Sequence, residues 1–202
     1  MKAERKEGII LIAFIVSFLL LTILVVMGYT QTLDKKIISG LSRRVTGYLY
    51  QTMVYISYMG NYHFLMPATV VVISFFYKIK EKSLSLHFLI MMIFTAPSFF
   101  LIKYIVKRPR PQSTGPFFTT YAYPSGHTMA AFTFFLGFYI FYFMIYEEEH
   151  NPLFLSFSLV LPSIVALSRI LLGIHYPSDI IGGILLSGIF LTFFWIKLKR
   201  WD

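Results

Sequence analysis

From Gly8 to Gly28 the sequence carries no charged residue, and a run of that length can cross a bilayer, which takes ~20 apolar residues with ~17–25 allowed. Five more stretches read the same way or nearly so. One lies within the charge-free run Val45–Tyr77, centred on His63–Tyr77. The others are Ser83–Ile102, His127–Tyr146, Pro152–Ser168 and Asp179–Ile196. Pro97 should kink the third. In hydrocarbon a backbone must satisfy its own hydrogen bonds. The runs therefore predict an all-α protein, a six-transmembrane-helix bundle forming one domain over residues 1–202.

Composition agrees. The chain is 57% hydrophobic and 13% charged, where a soluble domain carries roughly 25% charged residues, and its mean hydropathy is +0.70. With no cysteine, disulfides, thiolate metal sites and a cysteine nucleophile are excluded. A net charge of +9 would raise nucleic acid as a partner of a soluble protein. In this chain it fits loops facing anionic headgroups and a site facing phosphate, with no nucleic acid involved. Lys2, Arg5 and Lys6 precede Gly8–Gly28 as in a signal peptide. That run exceeds the ~7–15 residues of a signal core, and no small-x-small cleavage site follows, so it reads as a retained first span.

Between spans one and two, Leu33–Gly60 mixes Lys36, Arg43 and Arg44 with Ile37, Ile38, Leu41 and Val45, followed by several tyrosines. This pattern predicts an interfacial helical segment. A plain connector and a substrate-access element both fit it. The Phe-rich run Phe132–Phe143 reads as lipid-facing surface.

With the amino terminus inside, Lys and Arg divide nine to nine between the two sides. Setting aside Lys103, Arg110 and Arg169, which have a chemical reason for their positions, the bias favours both termini in the cytoplasm. Glu147–Glu149 then form a cytoplasmic turn.

Three clusters place ionisable groups where a membrane protein should avoid them. Lys103–Pro111 reads KYIVKRPRP: a helix end running into a rigid loop, which alone would pass for a basic membrane flank. Pro124-Ser125-Gly126-His127 opens the fourth span. Ser125 is a natural N-cap, Gly126 permits close backbone approach, and free amides at a helix start attract anions. A simple capped helix start reads the same. Ser168-Arg169, Gly173, His175 and Asp179 form the third cluster. A carboxylate bonded to one imidazole nitrogen fixes the tautomer and leaves the other as a nucleophile, though Asp179 also suits a helix cap. By alternation of spans all three clusters face one side. Three cations, neutral donors and two histidines together make a phosphate pocket with catalysts in it.

The pattern K-x6-RP (Lys103 to Pro111), PSGH (Pro124 to His127) and SR-x3-G-x-H-x3-D (Ser168 to Asp179) resembles the type 2 phosphatidic acid phosphatase superfamily, with every motif position filled. The resemblance implies a membrane lipid phosphatase that uses neither metal nor cofactor. It implies that His175 attacks phosphorus to form a phosphohistidine and that Asp179 orients it. His127 then protonates the leaving oxygen and activates water. Lys103, Arg110 and Arg169 bind the phosphate oxygens, with Ser125 and the Gly126 amide completing the cradle. The expected partners are a lipid phosphate and the bilayer, with no obligate protein partner.

The resemblance favours phosphatidylglycerol phosphate, with phosphatidate accepted too. Three cations suit a phosphomonoester, whereas undecaprenyl diphosphate would want more charge, for which Lys107 and Arg108, or Lys35, Lys36, Arg43 and Arg44, are available. A lipid phosphotransferase could use the same residues. A transporter would hold its charges near mid-membrane, and the haloperoxidase relatives are soluble. Hard metals need several oxygen ligands, and Asp179 is the one acidic residue near the outer motifs, Asp34 being distant in sequence. Phosphatase activity is therefore expected to persist in excess EDTA; abolition by chelator and recovery with Mg²⁺ would overturn this chemistry.

Overall fold

A computed structural model describes residues 2–111, 120–146 and 151–199. Thr114, Glu147–Glu149 and Arg200, which figure in the expected topology, lie outside the described residues. Among those described there are eight helices and no strand. They are α1 (Lys2–Val26), α2 (Gln31–Ser42), α3 (Gly47–Tyr58), α4 (Tyr62–Lys78), α5 (Lys82–Val106), α6 (Gly126–Ile145), α7 (Pro152–Leu171) and α8 (Pro177–Lys199).

Five of these, α1 and α5 to α8, are long and apolar enough to cross a membrane; α3 and α4, bent by 43° at their junction, together make a sixth candidate. The segment expected as one interfacial stretch is thus two helices, and α3 continues towards α4. The break falls at Gly60-Asn61, where the Asn61 side chain accepts from His63 N at 3.1 Å and starts a new helix.

Other ends have equally local causes. Asn151 caps α7 by accepting from Leu153 N and Phe154 N at 3.1 Å, with Pro152 in the first turn, where its missing N–H costs nothing. The helix α5 runs unbroken through Pro97 and stops where Lys107 turns left-handed, at φ 51, just before Pro109. Several hydroxyls inside the apolar helices return their protons to the preceding turn, as Thr69 does to Leu65 O at 2.7 Å and Thr95 to Met91 O at 2.9 Å. With no water at that depth, this is the cheapest way to satisfy them.

The helix α6 packs against α4, α5, α7 and α8. Phe132, Phe134, Phe135 and Phe141 are all buried, so the expectation of a lipid-facing Phe132–Phe143 run is corrected: much of it is core. Phe88 meets Phe141 edge-on at 5.4 Å and Phe134 at 5.9 Å, a geometry aromatic quadrupoles favour. Apolar side chains are exposed instead on α1, as at Ile9, Ile12, Leu19 and Ile23, and on α4, α5 and α7, as at Val71, Leu101 and Leu153.

The ends of α1 and α8 meet through Glu7, which accepts from Lys199 Nζ at 2.8 Å and Trp195 Nε1 at 3.0 Å. The opposite end of α8 carries Asp179. There α8 runs so close to the start of α6 that a Cβ on Gly183 would lie 2.7 Å from the Ser125 carbonyl oxygen. Backbone cannot yield as a side-chain tip does. Gly183→Ala should therefore cost about 1–3 kcal/mol by overpacking and lower activity as well, read as a fall in Tm and turnover in detergent. Gly40→Ala on α2, where a Cβ meets nothing within 4 Å, should be neutral or stabilising by up to ~1 kcal/mol.

Candidate active site

The three sequence clusters, carried by the ends of α5 and α7 and the starts of α6 and α8, converge. Each is delivered by a local device. Lys103 sits in the last turn of α5, and its Nζ reaches across to the carbonyls of Tyr121 at 2.5 Å and Ala122 at 3.2 Å. After the left-handed Lys107 the loop carries Arg110 inward. Its Nε donates to Thr120 O at 2.8 Å and its Nη2 to Thr120 Oγ1 at 3.0 Å. Gly173, at φ 70, takes the left-handed turn after α7 that a side chain would strain, and so brings His175 round to face Arg110.

His175 is buried, with Nδ1 3.3 Å from Asp179 Oδ2 and Nε2 3.2 Å from Arg110 Nη1. A guanidinium can only donate. That contact favours the tautomer with the lone pair on Nε2 and the proton on Nδ1 facing the carboxylate. Burial lowers the proton affinity of this imidazole well below its ordinary value, and the cations of Lys103, Arg110 and Arg169 act the same way. Both effects favour the neutral imidazole. Asp179 Oδ2, besides facing the imidazole, also accepts from Tyr176 N at 2.9 Å at the start of α8.

Arg169, in the last turn of α7, is buried and donates through Nη1 to Ser57 Oγ on α3. Its Nε is buried and has no hydrogen-bond partner among the described residues. An unpaired buried donor costs free energy, and it is a feature an anion would relieve. Ser125 is placed differently from the other expected phosphate ligands. Its Oγ accepts from Thr128 N at 3.4 Å and Thr128 Oγ1 at 2.9 Å, the N-cap geometry, and it does not line the cavity described next.

That cavity, of about 730 Å³, has Lys103, Arg110, Gly126, His127, Arg169 and His175 at its polar end. From there it continues between α4 and α5 along Leu65, Met66, Val70, Met92, Ile93, Ala96 and Phe100. Met66, Val70 and Ile93 are also exposed on the outer surface of the bundle, so the apolar part borders the region a lipid chain would occupy.

Two residues escaped the sequence reading. Asp34, on α2, is buried and accepts from Ser178 N at 3.1 Å and Ser178 Oγ at 2.6 Å; its distance along the chain concealed its nearness to Asp179. Arg108, counted among spare cations for a diphosphate, is held between Asp34 and Asp179 at 2.6 Å from each. Burial opposes its charge, yet the two carboxylates raise its pKa further. The one sequence clue was Asp34 four residues before Ile38, both on the buried face of α2.

Comparison with known proteins gives the same picture. A curated relative, phosphatidylglycerophosphatase B of Bacillus subtilis, is 25% identical over 187 residues, covering 89% of each chain. A crystal structure of a transmembrane PAP2-type phosphatidylglycerolphosphate phosphatase from Bacillus subtilis shares the fold. It superposes with a TM-score of 0.82 at 21% identity, over 94% of this chain and 96% of that one. The family model of the PAP2 superfamily matches residues 83–202, more than half of the sequence and all of the helix ends on which the histidines and cations converge. This chain belongs to the PAP2 superfamily and is a membrane phosphatase.

Proposed function

We propose that the protein is a metal-independent lipid phosphatase that removes the terminal phosphate of a glycerolipid through a phosphohistidine on His175. Phosphatidylglycerol phosphate ranks first among its substrates and phosphatidate is also accepted. The observation that carries this reading is a cavity that joins cations and histidines to an apolar corridor between α4 and α5. A soluble phosphate ester needs the first part only, whereas a lipid needs both. The phosphatidylglycerophosphatase relatives support the choice of headgroup.

Phosphoryl transfer asks mainly for positioning and charge stabilisation. His175 Nε2 attacks phosphorus as the bond to the lipid oxygen breaks, and His127 gives that oxygen its proton. Water then attacks the phosphohistidine, His127 takes the water's proton, and inorganic phosphate leaves with His175 restored. Asp179 keeps the proton on Nδ1 and balances the charge the ring acquires. Lys103, Arg110 and Arg169 neutralise the phosphate oxygens, with the free Nε of Arg169 offering one arm of a planar fork. Ser125 acts at one remove, by holding the start of α6 from which Gly126 and His127 face the cavity.

The test is phosphate release by the purified protein in detergent across a panel of lipid phosphates. His175→Ala should abolish turnover without loss of fold, and Arg169→Lys should fall steeply, because an ammonium cannot reproduce the fork. Near-normal rates in His175→Ala would remove the nucleophile from this scheme. A kcat/KM for undecaprenyl diphosphate well above that for phosphatidylglycerol phosphate would instead make the protein a carrier-lipid phosphatase. With Arg108 engaged by two carboxylates, the site has one fewer spare cation for a second phosphate.

The accompanying topology places both termini in the cytoplasm and the site at the outer face, with α2 in the interface. Glu7 paired with Lys199, at the far end of α8 from Asp179, supports termini on the side away from the site. The absence of native cysteine permits a direct check in intact cells. A cysteine at Thr114 should react with an impermeant thiol reagent and one at Ser83 should not; the reverse pattern would invert the orientation.

A further inference from the structure

Arg108 is a buried charge that the scheme above does not use. It is not among the residues that line the cavity. Its Nη1 donates to Asp179 Oδ1 at 2.6 Å and to Ser178 Oγ at 2.7 Å, while its Nη2 donates to Asp34 Oδ2 at 2.6 Å. Its Cζ lies over the Tyr176 ring, 4.4 Å from the centroid. Asp34 in turn holds both the backbone N and the Oγ of Ser178, at the head of α8.

We propose that Arg108 and Asp34 are positioning residues for the nucleophile: Arg108 fixes the Asp179 carboxylate so that Oδ2 faces His175, and Asp34 fixes Arg108. Docking of α2 onto the head of α8 is then a step in assembling the active site. The inference rests on the proposed role of His175 and adds a chain of control behind it.

The two oxygens of Asp179 have separate duties. Oδ2 serves His175 Nδ1 at 3.3 Å and Tyr176 N at 2.9 Å, the contact to the imidazole being the longer. A long hydrogen bond does not hold a carboxylate, and the terminal torsion of aspartate is broad. The short charge-assisted bond on Oδ1 therefore sets the plane of the group. Arg108 cannot do this alone, because a guanidinium with an empty arm in a buried place seeks other partners. Asp34 fills that arm. It does so from α2, a helix separated from the head of α8 by α3 to α7 in chain order but packed on α7 and α8.

The experiment uses the full-length protein in detergent with phosphatidate or phosphatidylglycerol phosphate, and compares the parent with Arg108→Gln, Asp34→Asn, the double variant and Arg108→Lys. Partners that orient a histidine one step behind a reactive centre are worth about 10- to 100-fold in activity. Arg108→Gln and Asp34→Asn should each lower kcat by roughly that 10- to 100-fold factor while KM changes little. The double variant should be no worse than the poorer single, since both act through Asp179. Arg108→Lys should recover part of the loss by keeping one of the two ion pairs.

Inhibition by inorganic phosphate should keep its Ki in all four, because Lys103, Arg110 and Arg169 are untouched; a damaged fold would lose it. A kcat within about two-fold of the parent in Arg108→Gln, too small beside the oriented-carboxylate effect, overturns the inference. So does a rise in KM at constant kcat, or a Ki that rises as kcat falls. A parent that releases phosphate but ignores Arg108 leaves the phosphatase reading standing; a parent that releases none from any lipid removes that reading and this one together.

Discussion

Asp179 is a negative charge set among cations at the end of a helix bundle, and much of the structure follows from satisfying it. A carboxylate away from water needs partners on every side. Its side chain takes His175, Tyr176 N and Arg108, and its backbone oxygen accepts from Ser125 N at 2.9 Å. Four separate parts of the chain are thereby tied to one residue: the loop after α5, the start of α6, the turn after α7 and, through Asp34, the helix α2. The closeness of α6 and α8, for which Gly183 leaves room, follows from the same junction.

Away from that junction the bundle obeys a simpler rule. Lipid tails are as apolar as leucine, so association of helices rests on packing and not on escape from water. The edge-on rings around Phe88 and the small residues of α8 supply that packing. Many hydroxyls turn back on their own helices or, as Thr133 does to Ser187 at 3.1 Å, reach one neighbour. The candidate catalytic groups thus gather at one end of the bundle, while the rest serves as a frame.

The sequence showed the frame and the reacting groups with unequal clarity. Helix ends lay within a few residues of their expected places, because Pro152, Asn151, Ser125 and the Lys107-to-Pro111 stretch carry local instructions that do not depend on surroundings. Lys103, Arg110, Gly126, His127, Arg169 and His175 were legible because charge is rare in such a chain, and spans that alternate in direction had to bring them to one side. What stayed hidden depended on neighbours far along the chain. The phenylalanines of α6 resemble those of a lipid-facing helix, since a helix surrounded by other helices and one surrounded by lipid are apolar all round alike. Asp34 and Arg108 look like ordinary surface charges until α2 is folded back onto α8. Ser125 was read as a ligand and as a cap with equal justice, and its contact with Thr128 belongs to the cap.

The corridor between α4 and α5 shares its wall with the outside of the bundle at Met66, Val70 and Ile93. A substrate lodged there keeps its chains in the leaflet and offers only its headgroup to the histidines. Such an encounter is two-dimensional. The quantity that sets the rate is the mole fraction of phosphorylated lipid in the surface around the protein, not its amount per volume of solution. Adding inert detergent or phospholipid at constant total substrate then slows the reaction by dilution in the plane. A KM for such a protein has meaning only as a surface concentration.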